Sequence, residues 1–252
     1  MMFTTTGIAY ALGFVALTGL SFRIFQYAKR EPGTVSRSLF LFTGSFSLMS
    51  CLVMVPVLFF PTQSFALRLA VIAASFFQGL GCSFLGYLLA FFKAPRGVPP
   101  MFGFLFIFSF TMVATVLALV LPYTPHLTAD GLSVVWEVPL LVNIPRIFYF
   151  VFTFFPLSAI FFWQFLTMKE PYARVRALGL GAVTAFGAVG ASIEFLQKIL
   201  GLSQFVNDLA FIFVYSLIIF VLLLSTRIGR RLMRMQEMIQ GKGIVGKERG
   251  VV

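Results

Sequence analysis

The chain has 252 residues, 60% of them hydrophobic and only 11% charged, with a formal net charge of +11. An ordinary water-soluble domain is about a quarter charged, so a soluble core does not hide this much apolar surface and lipid must solvate much of it. The excess of basic residues invites a nucleic-acid reading, but their placement, taken up below, makes the charge a membrane-topology signal instead.

A helix that crosses the hydrocarbon core needs about 20 mostly apolar residues. The N-terminus has neither a basic n-region nor a small-residue cleavage site, so no cleavable signal peptide is expected. The first span covers 7–27. The second covers 38–60, with Pro56 in its outer part and Cys51 in its apolar run. The third covers 67–92; it opens on Arg68, carries Gln78 near its middle, and holds Cys82. Both cysteines read as packing residues rather than a disulfide or a metal pair. The fourth span, 101–121, has no charged residue.

A long connection, 122–143, follows: PYTPHLTADGLSVVWEVPLLVN. It holds the only histidine, His126, together with Asp130, Trp136 and Glu137. The run LSVVWEV has strand-like composition and ADG is a turn signal. The expectation is an ordered outer cap, a small hairpin with Trp136 near the interface; a loop resting on the lipid headgroups is the alternative.

The fifth span, 144–166, opens beside Asn143, Pro145 and Arg146 and has Pro156 at its middle. The sixth, 176–200, is dense in small residues. Ala177, Gly181 and Ala185 are spaced by four, which lets helices approach closely and suggests a central place in the bundle. It ends on Glu194, Gln197 and Lys198. Glu194 and Lys198 have the i, i+4 spacing and order of a helical ion pair. The seventh span, 204–226, opens with Asn207 and Asp208 and contains no lysine, which excludes a retinal Schiff base of the rhodopsin type. Beyond it, 227–252 forms a basic segment. Ile228, Leu232, Met235 and Ile239 make an apolar stripe bordered by Arg227, Arg230, Arg231 and Arg234, the pattern of an amphipathic helix on anionic lipid or against a partner.

Lysine and arginine placement orients the bundle. If the first connection is cytoplasmic, all of the 19 basic residues except Arg68, Arg146 and Lys198 lie on the cytoplasmic side. The expected fold is an all-α integral membrane protein: a seven-transmembrane-helix bundle with its N-terminus outside and its C-terminus inside. A prokaryotic cell membrane is its expected location. Domain 1–226 is then the bundle and 227–252 the basic tail.

The remaining polar residues gather at the outer end. Ionisable groups in apolar helices are costly and usually face the bundle interior or a wet cavity. Arg68, Gln78, Asn143, Arg146, Glu194, Gln197 and Asp208 therefore mark an outward-facing polar pocket, with pairings such as Arg146 with Glu194 or Arg68 with Asp208. His126, Asp130, Trp136 and Glu137 would cap it. The bland alternative has Glu194 and Lys198 simply snorkelling where the sixth helix emerges. One histidine cannot supply both axial ligands of a haem. No metalloprotease motif, Gly-x-Ser-x-Gly motif or Pro-Gln sugar-carrier motif occurs. No cofactor, metal or catalytic residue is expected, and the chain does not read as an enzyme.

Seven helices, an outer N-terminus, an outer polar pocket and a basic inner helix after the last span resemble the seven-helix receptor modules at the front of some bacterial sensor proteins. The resemblance runs from Gly7 to about Gln240. It is architectural and transfers no functional residue. It implies binding of a small polar ligand outside and a change of pose of the inner helix. Such modules usually feed an output domain on the same chain; here a separate partner would have to receive the signal. Two further readings stand beside it. One is a non-catalytic scaffold or accessory subunit of a larger membrane complex, for which co-purifying partner subunits are expected, whereas a lone monomer or homodimer would favour the receptor and carrier readings. The other is a small-solute carrier or channel, weakened by the sparse polar content near the midplane.

Overall fold

Apolar runs bounded by Pro, Gly and polar clusters become helices because every backbone N–H and C=O must be satisfied internally where lipid replaces water. The computed structural model describes residues 4–30, 32–93, 98–221 and 223–224, without the side chains of Arg30, Tyr172 and residues 191–199. The helices are α1 (Thr5–Arg30), α2 (Thr34–Phe59), α3 (Ser64–Lys93) and α4 (Met101–Val120), then α5 (Leu140–Thr167) and α6 (Pro171–Leu200). α7 runs over Gln204–Val221. Between α4 and α5, β1 (His126–Leu127) and β2 (Val134–Val135) pair antiparallel, His126 opposite Val135 and Leu127 opposite Val134. The connection is thus an ordered hairpin and not a loose loop.

Six of these helices, α1 to α5 and α7, are long and apolar enough to cross a membrane, so the chain is a polytopic membrane protein. α6 has 30 residues but is not among the six; Arg174 and Arg176 stand near its start. The basic segment 227–252 lies outside the described residues. α1, α2, α3, α5 and α6 each begin a few residues earlier than the spans expected from sequence.

Sequential helices pack as neighbours, and α3 also packs against α5. α3 is the central helix, with 61% of its apolar window buried against 22% for α4 and α7. α7 closes the bundle against α1 and α6 through Ala16, Leu20, Val183, Val214 and Ile218. Gly13 permits this closure: a Cβ there would stand 2.8 Å from the Tyr215 ring. The main core is aromatic and aliphatic. Phe42 and Phe46 of α2 meet Phe154 of α5 at ring separations of 5.7 and 6.0 Å.

Many buried polar residues carry no functional message. Thr43, Ser75, Ser83, Thr111 and Thr153 each donate to the carbonyl four residues earlier on their own helix. A hydroxyl satisfied in this way is tolerated in a lipid-facing or buried helix at small cost. The polar side chains that reach between elements are the informative ones, and they concentrate at the hairpin end of the bundle.

Candidate functional site

The first group rests on one face of α5. Asn143, Arg146 and Tyr149 recur at i, i+3 and i+6, so they share a stripe turned towards α3. Arg146 is only 9% exposed. Its Nη2 and Nε donate to Gln78 Oε1 at 2.9 and 3.3 Å, and its Nη1 donates to Asn143 Oδ1 at 3.2 Å. Tyr149 donates its hydroxyl to the same Gln78 oxygen at 3.3 Å. Gln78, an uncharged residue at mid-helix, is the acceptor on which an arginine and a tyrosine converge.

The second group ties three elements together. Asp208 on α7 is 2% exposed. Its Oδ2 accepts from the hydroxyls of Thr5 and Thr6, and its Oδ1 accepts from Gln204 Nε2 at 3.0 Å. Thr6 Oγ1 in turn accepts from the Val134 N–H at 2.9 Å. The Thr5 N–H donates to Leu132 O at 2.7 Å, and its hydroxyl reaches Ser133 Oγ at 2.7 Å. A single carboxylate thus holds the start of α1, the start of α7 and the hairpin in one hydrogen-bonded knot. Charge-assisted bonds of this kind are the stronger ones.

The hairpin is shaped by its own turn. Gly131 adopts φ +71°, a conformation that favours glycine. The Asp130 carboxylate accepts from the Thr128 hydroxyl and from the Leu132 N–H at 3.0 Å. These two donors hold its pKa below the usual carboxylate value. Trp136 turns inward and meets Tyr10 edge-on at 6.2 Å. Glu137 follows with a positive φ of 46°. It lies 3.8 Å from His126 Nδ1, a half-exposed pair that is ionic only when the imidazole is protonated.

Between these groups lies a cavity of about 330 Å³. Gln78, Arg146, Asn207 and Asp208 line it, Trp136 and Glu137 stand on its hairpin side, and Tyr10 and Tyr215 add aromatic wall. A second space of about 70 Å³ shares Met49, Gln78, Phe211 and Tyr215 with the first and continues among Phe42, Phe46, Phe150 and Phe154. Asn207 is 4% exposed, and its Oδ1 has no hydrogen-bond partner.

Gln78, Arg146, Asp208, Trp136 and Glu137 all line this cavity, and Asn143 supports Arg146 from outside the lining. Arg68 stands apart. Its Nη2 donates to Leu119 O at 2.8 Å and Leu121 O at 3.2 Å, and its guanidinium lies over Tyr123. The expected Arg68–Asp208 pair does not form. Arg68 caps the carboxyl end of α4, where orphan carbonyls attract a cation, while Asp208 is held by threonines. His126 and Asp130 belong to the hairpin's outer edge and do not line the cavity. The side chains of Glu194 and Gln197 lie outside the described residues, as do Arg227, Arg230, Arg231 and Arg234 entirely. Sequence reasoning missed Thr5, Thr6, Tyr10 and Tyr215. The run of threonines at 4–6 was the available signal, since hydroxyls at the start of an apolar helix need partners.

Among the described residues, no group of three or more His, Cys, Asp or Glu side chains gathers in metal-binding geometry. No family model matches the chain, and no curated protein matches it.

Proposed function

We propose that this chain is a receptor-like membrane module that takes a small polar ligand from outside into the cavity at its hairpin end. The observation that carries this reading is the cavity itself: about 330 Å³, walled by a buried arginine, a buried aspartate and an amide, beside an ordered hairpin. Buried ionisable groups in a membrane bundle are costly and mark functional places. In this reading α6 also crosses the membrane, which makes seven spans, and the hairpin end faces outside. That orientation is supported by the basic residues Arg23, Lys29, Arg37, Lys93, Lys169, Arg174 and Arg176 at the other end of the helices. Asp208 stands on α7, so a ligand that disturbs the Asp208 knot would shift the helix that precedes the basic residues Arg227, Arg230, Arg231 and Arg234 in sequence.

The carrier reading is disfavoured by what lies beneath the cavity. Phe42, Phe46, Phe150 and Phe154 pack there as a dense aromatic layer rather than a polar path. The subunit reading has one feature of its own. Phe106, Phe110, Phe148 and Phe152 stack along α4 and α5, and Phe106, Phe148 and Phe152 are exposed, as a partner helix would require. Lipid satisfies such a face equally well.

The test is topology and access together. Leu132→Cys and Glu137→Cys should both react with a membrane-impermeant maleimide in intact cells, in a background lacking Cys51 and Cys82. Lys169→Cys should react only after permeabilisation. The reverse pattern overturns the reading. Gentle extraction followed by native mass measurement decides the subunit alternative, which a fixed set of co-purifying chains would establish.

A further inference from the structure

We infer that the cavity is built for a small organic cation, an ammonium group carried on a compact apolar body. The inference rests on the receptor-like reading above and names the class of its ligand.

The first argument is charge. The described lining holds two carboxylates, Glu137 and Asp208, and one guanidinium, Arg146. Arg146 is committed within the protein: it donates to Gln78 and Asn143 and has further contacts of its own. Neither carboxylate has a lysine or arginine partner among the described residues. Asp208 accepts from Thr5, Thr6 and Gln204, neutral donors that add no positive charge. Glu137 meets the Thr124 hydroxyl at 3.5 Å and His126 Nδ1 at 3.8 Å, and the imidazole is a counter-ion only when protonated. The described lining thus carries one anionic charge in excess. A monovalent cation cancels that excess, and an anion would double it.

Aromatic rings supply the second argument. Tyr10 and Trp136 meet edge-on at 6.2 Å, and Phe211 and Tyr215 stack at 6.1 Å with their planes 24° apart. The four rings come from α1, from the residue after β2 and from α7, and all four line the cavity. Each is only partly buried. Ring faces attract a cation, the indole most strongly, and the attraction grows where water is excluded.

The backbone at Glu137 is the third argument. Its φ of 46° lies in the left-handed region, which a residue with a side chain seldom enters. Such a conformation persists only where its surroundings enforce it, and such residues gather at ligand clamps. Here it sits between Trp136 and Val138, and all three line the cavity. A half-exposed carboxylate therefore follows directly on the indole, so that adjacent residues offer charge and ring face to one ammonium.

Shape limits the rest of the ligand. The chamber of about 330 Å³ is near the lower end of small-molecule sites, about 300–1,000 Å³. Met49, Phe211 and Tyr215 also border the smaller space, whose lining has no charged side chain. A body of few atoms, apolar on the side away from the ammonium, fits both.

The experiment is calorimetric titration of the whole chain in nanodiscs of zwitterionic lipid, with empty discs as background and thermal unfolding in parallel. The probes are phenethylamine, phenylethanol and phenylpropanoate, which share an apolar body and carry a positive, a neutral and a negative head. Phenethylamine should bind at least about tenfold more tightly than the alcohol, and phenylpropanoate should bind more weakly than the alcohol. Glu137→Gln keeps an acceptor for Thr124 and should leave the thermal transition in place. It should weaken phenethylamine about tenfold and leave the alcohol unchanged. Equal binding of the three heads, or tighter binding of phenylpropanoate, overturns the cation. Silence from phenethylamine at millimolar concentration also overturns it, as does unchanged phenethylamine affinity in Glu137→Gln. In each of these cases the receptor-like reading still stands or falls on the maleimide pattern alone.

Discussion

Along α5, Arg146 borders an open polar cavity of about 330 Å³, whereas one and two turns further Phe150 and Phe154 border only about 70 Å³. The same helix thus belongs to two regions held together differently. At the hairpin end, order comes from directed hydrogen bonds: Gln78 with Arg146 and Tyr149, and Asp208 with Thr5, Thr6 and Gln204. In the lower half, order comes from interlocking aromatic rings at separations such as 5.4 Å between Phe150 and Phe154. Water does not drive apolar groups together inside lipid, so the aromatic half depends on packing density and the hairpin end on polar pairing. The packed half leaves only about 70 Å³ between its rings, and the hydrogen-bonded half leaves about 330 Å³ between its groups.

The sharpest break of this comparison is in the packed half. Phe154→Ala should lower stability by about 3 kcal/mol, at the low end of the Phe→Ala range because the transfer contribution shrinks in a membrane. Thermal unfolding in detergent reads this loss directly, and a cost below about 1 kcal/mol would mean that the aromatic layer is not what holds α2 to α5. Next comes the polar half. Gln78→Leu removes the acceptor shared by Arg146 and Tyr149 and should cost about 2 kcal/mol. Gln78→Glu keeps an acceptor towards the guanidinium and should restore the transition. If both substitutions behave alike, hydrogen bonding to Arg146 does not govern that end of the bundle.

These two halves were unequally legible in the sequence. Hydropathy located the six helices that are long and apolar enough to cross a membrane, because a crossing segment must be apolar over its length regardless of what it packs against. Arg146 and Asp208 stood out because charges in apolar helices are conspicuous. Their partners did not. Which face of α3 meets α5 depends on helix rotation, and a periodic run such as FFQGLGCSF leaves that rotation open. Thr5 and Thr6 looked like ordinary residues preceding a span, since nothing local reveals that a carboxylate about 200 positions later returns to them. Arg68 misled for the complementary reason: the carbonyls of Leu119 and Leu121 are invisible as acceptors in a list of side chains.

The knot offers a finer cut through the same comparison. Thr6→Val keeps the volume but removes a donor to Asp208 and an acceptor for the Val134 N–H. The expected loss is about 1–2 kcal/mol. The loss should be local first: amide exchange should rise at Val134 and at the start of α1 before the global transition moves. Ser158 of α5, whose hydroxyl donates to Gly181 O at 3.2 Å, is the matching polar contact in the packed half. Ser158→Ala should leave hairpin exchange unchanged, and faster hairpin exchange in that variant would show that the two regions are one cooperative unit.

The smallest effect belongs to the tip of the hairpin. Asp130 is exposed, but the Thr128 hydroxyl and the Leu132 N–H favour its charged form, so its folded pKa lies below the ordinary 3.8. A depressed carboxylate contributes its stabilisation above the unfolded pKa and loses it as pH falls through the folded value. The turn should therefore hold at neutral pH and slacken only in acid below about 3.8. Trp136 fluorescence, read in a Trp163→Phe background, reports this because the indole packs on Tyr10 at the hairpin base. Asp130→Asn should abolish the acid step and leave the emission otherwise near that of the parent. An acid step that survives Asp130→Asn would trace to other carboxylates, of which Asp208 ties the hairpin to α1 and α7 and Glu137 stands beside Trp136. The tip would then be a passive extension of the knot rather than a turn with its own hold.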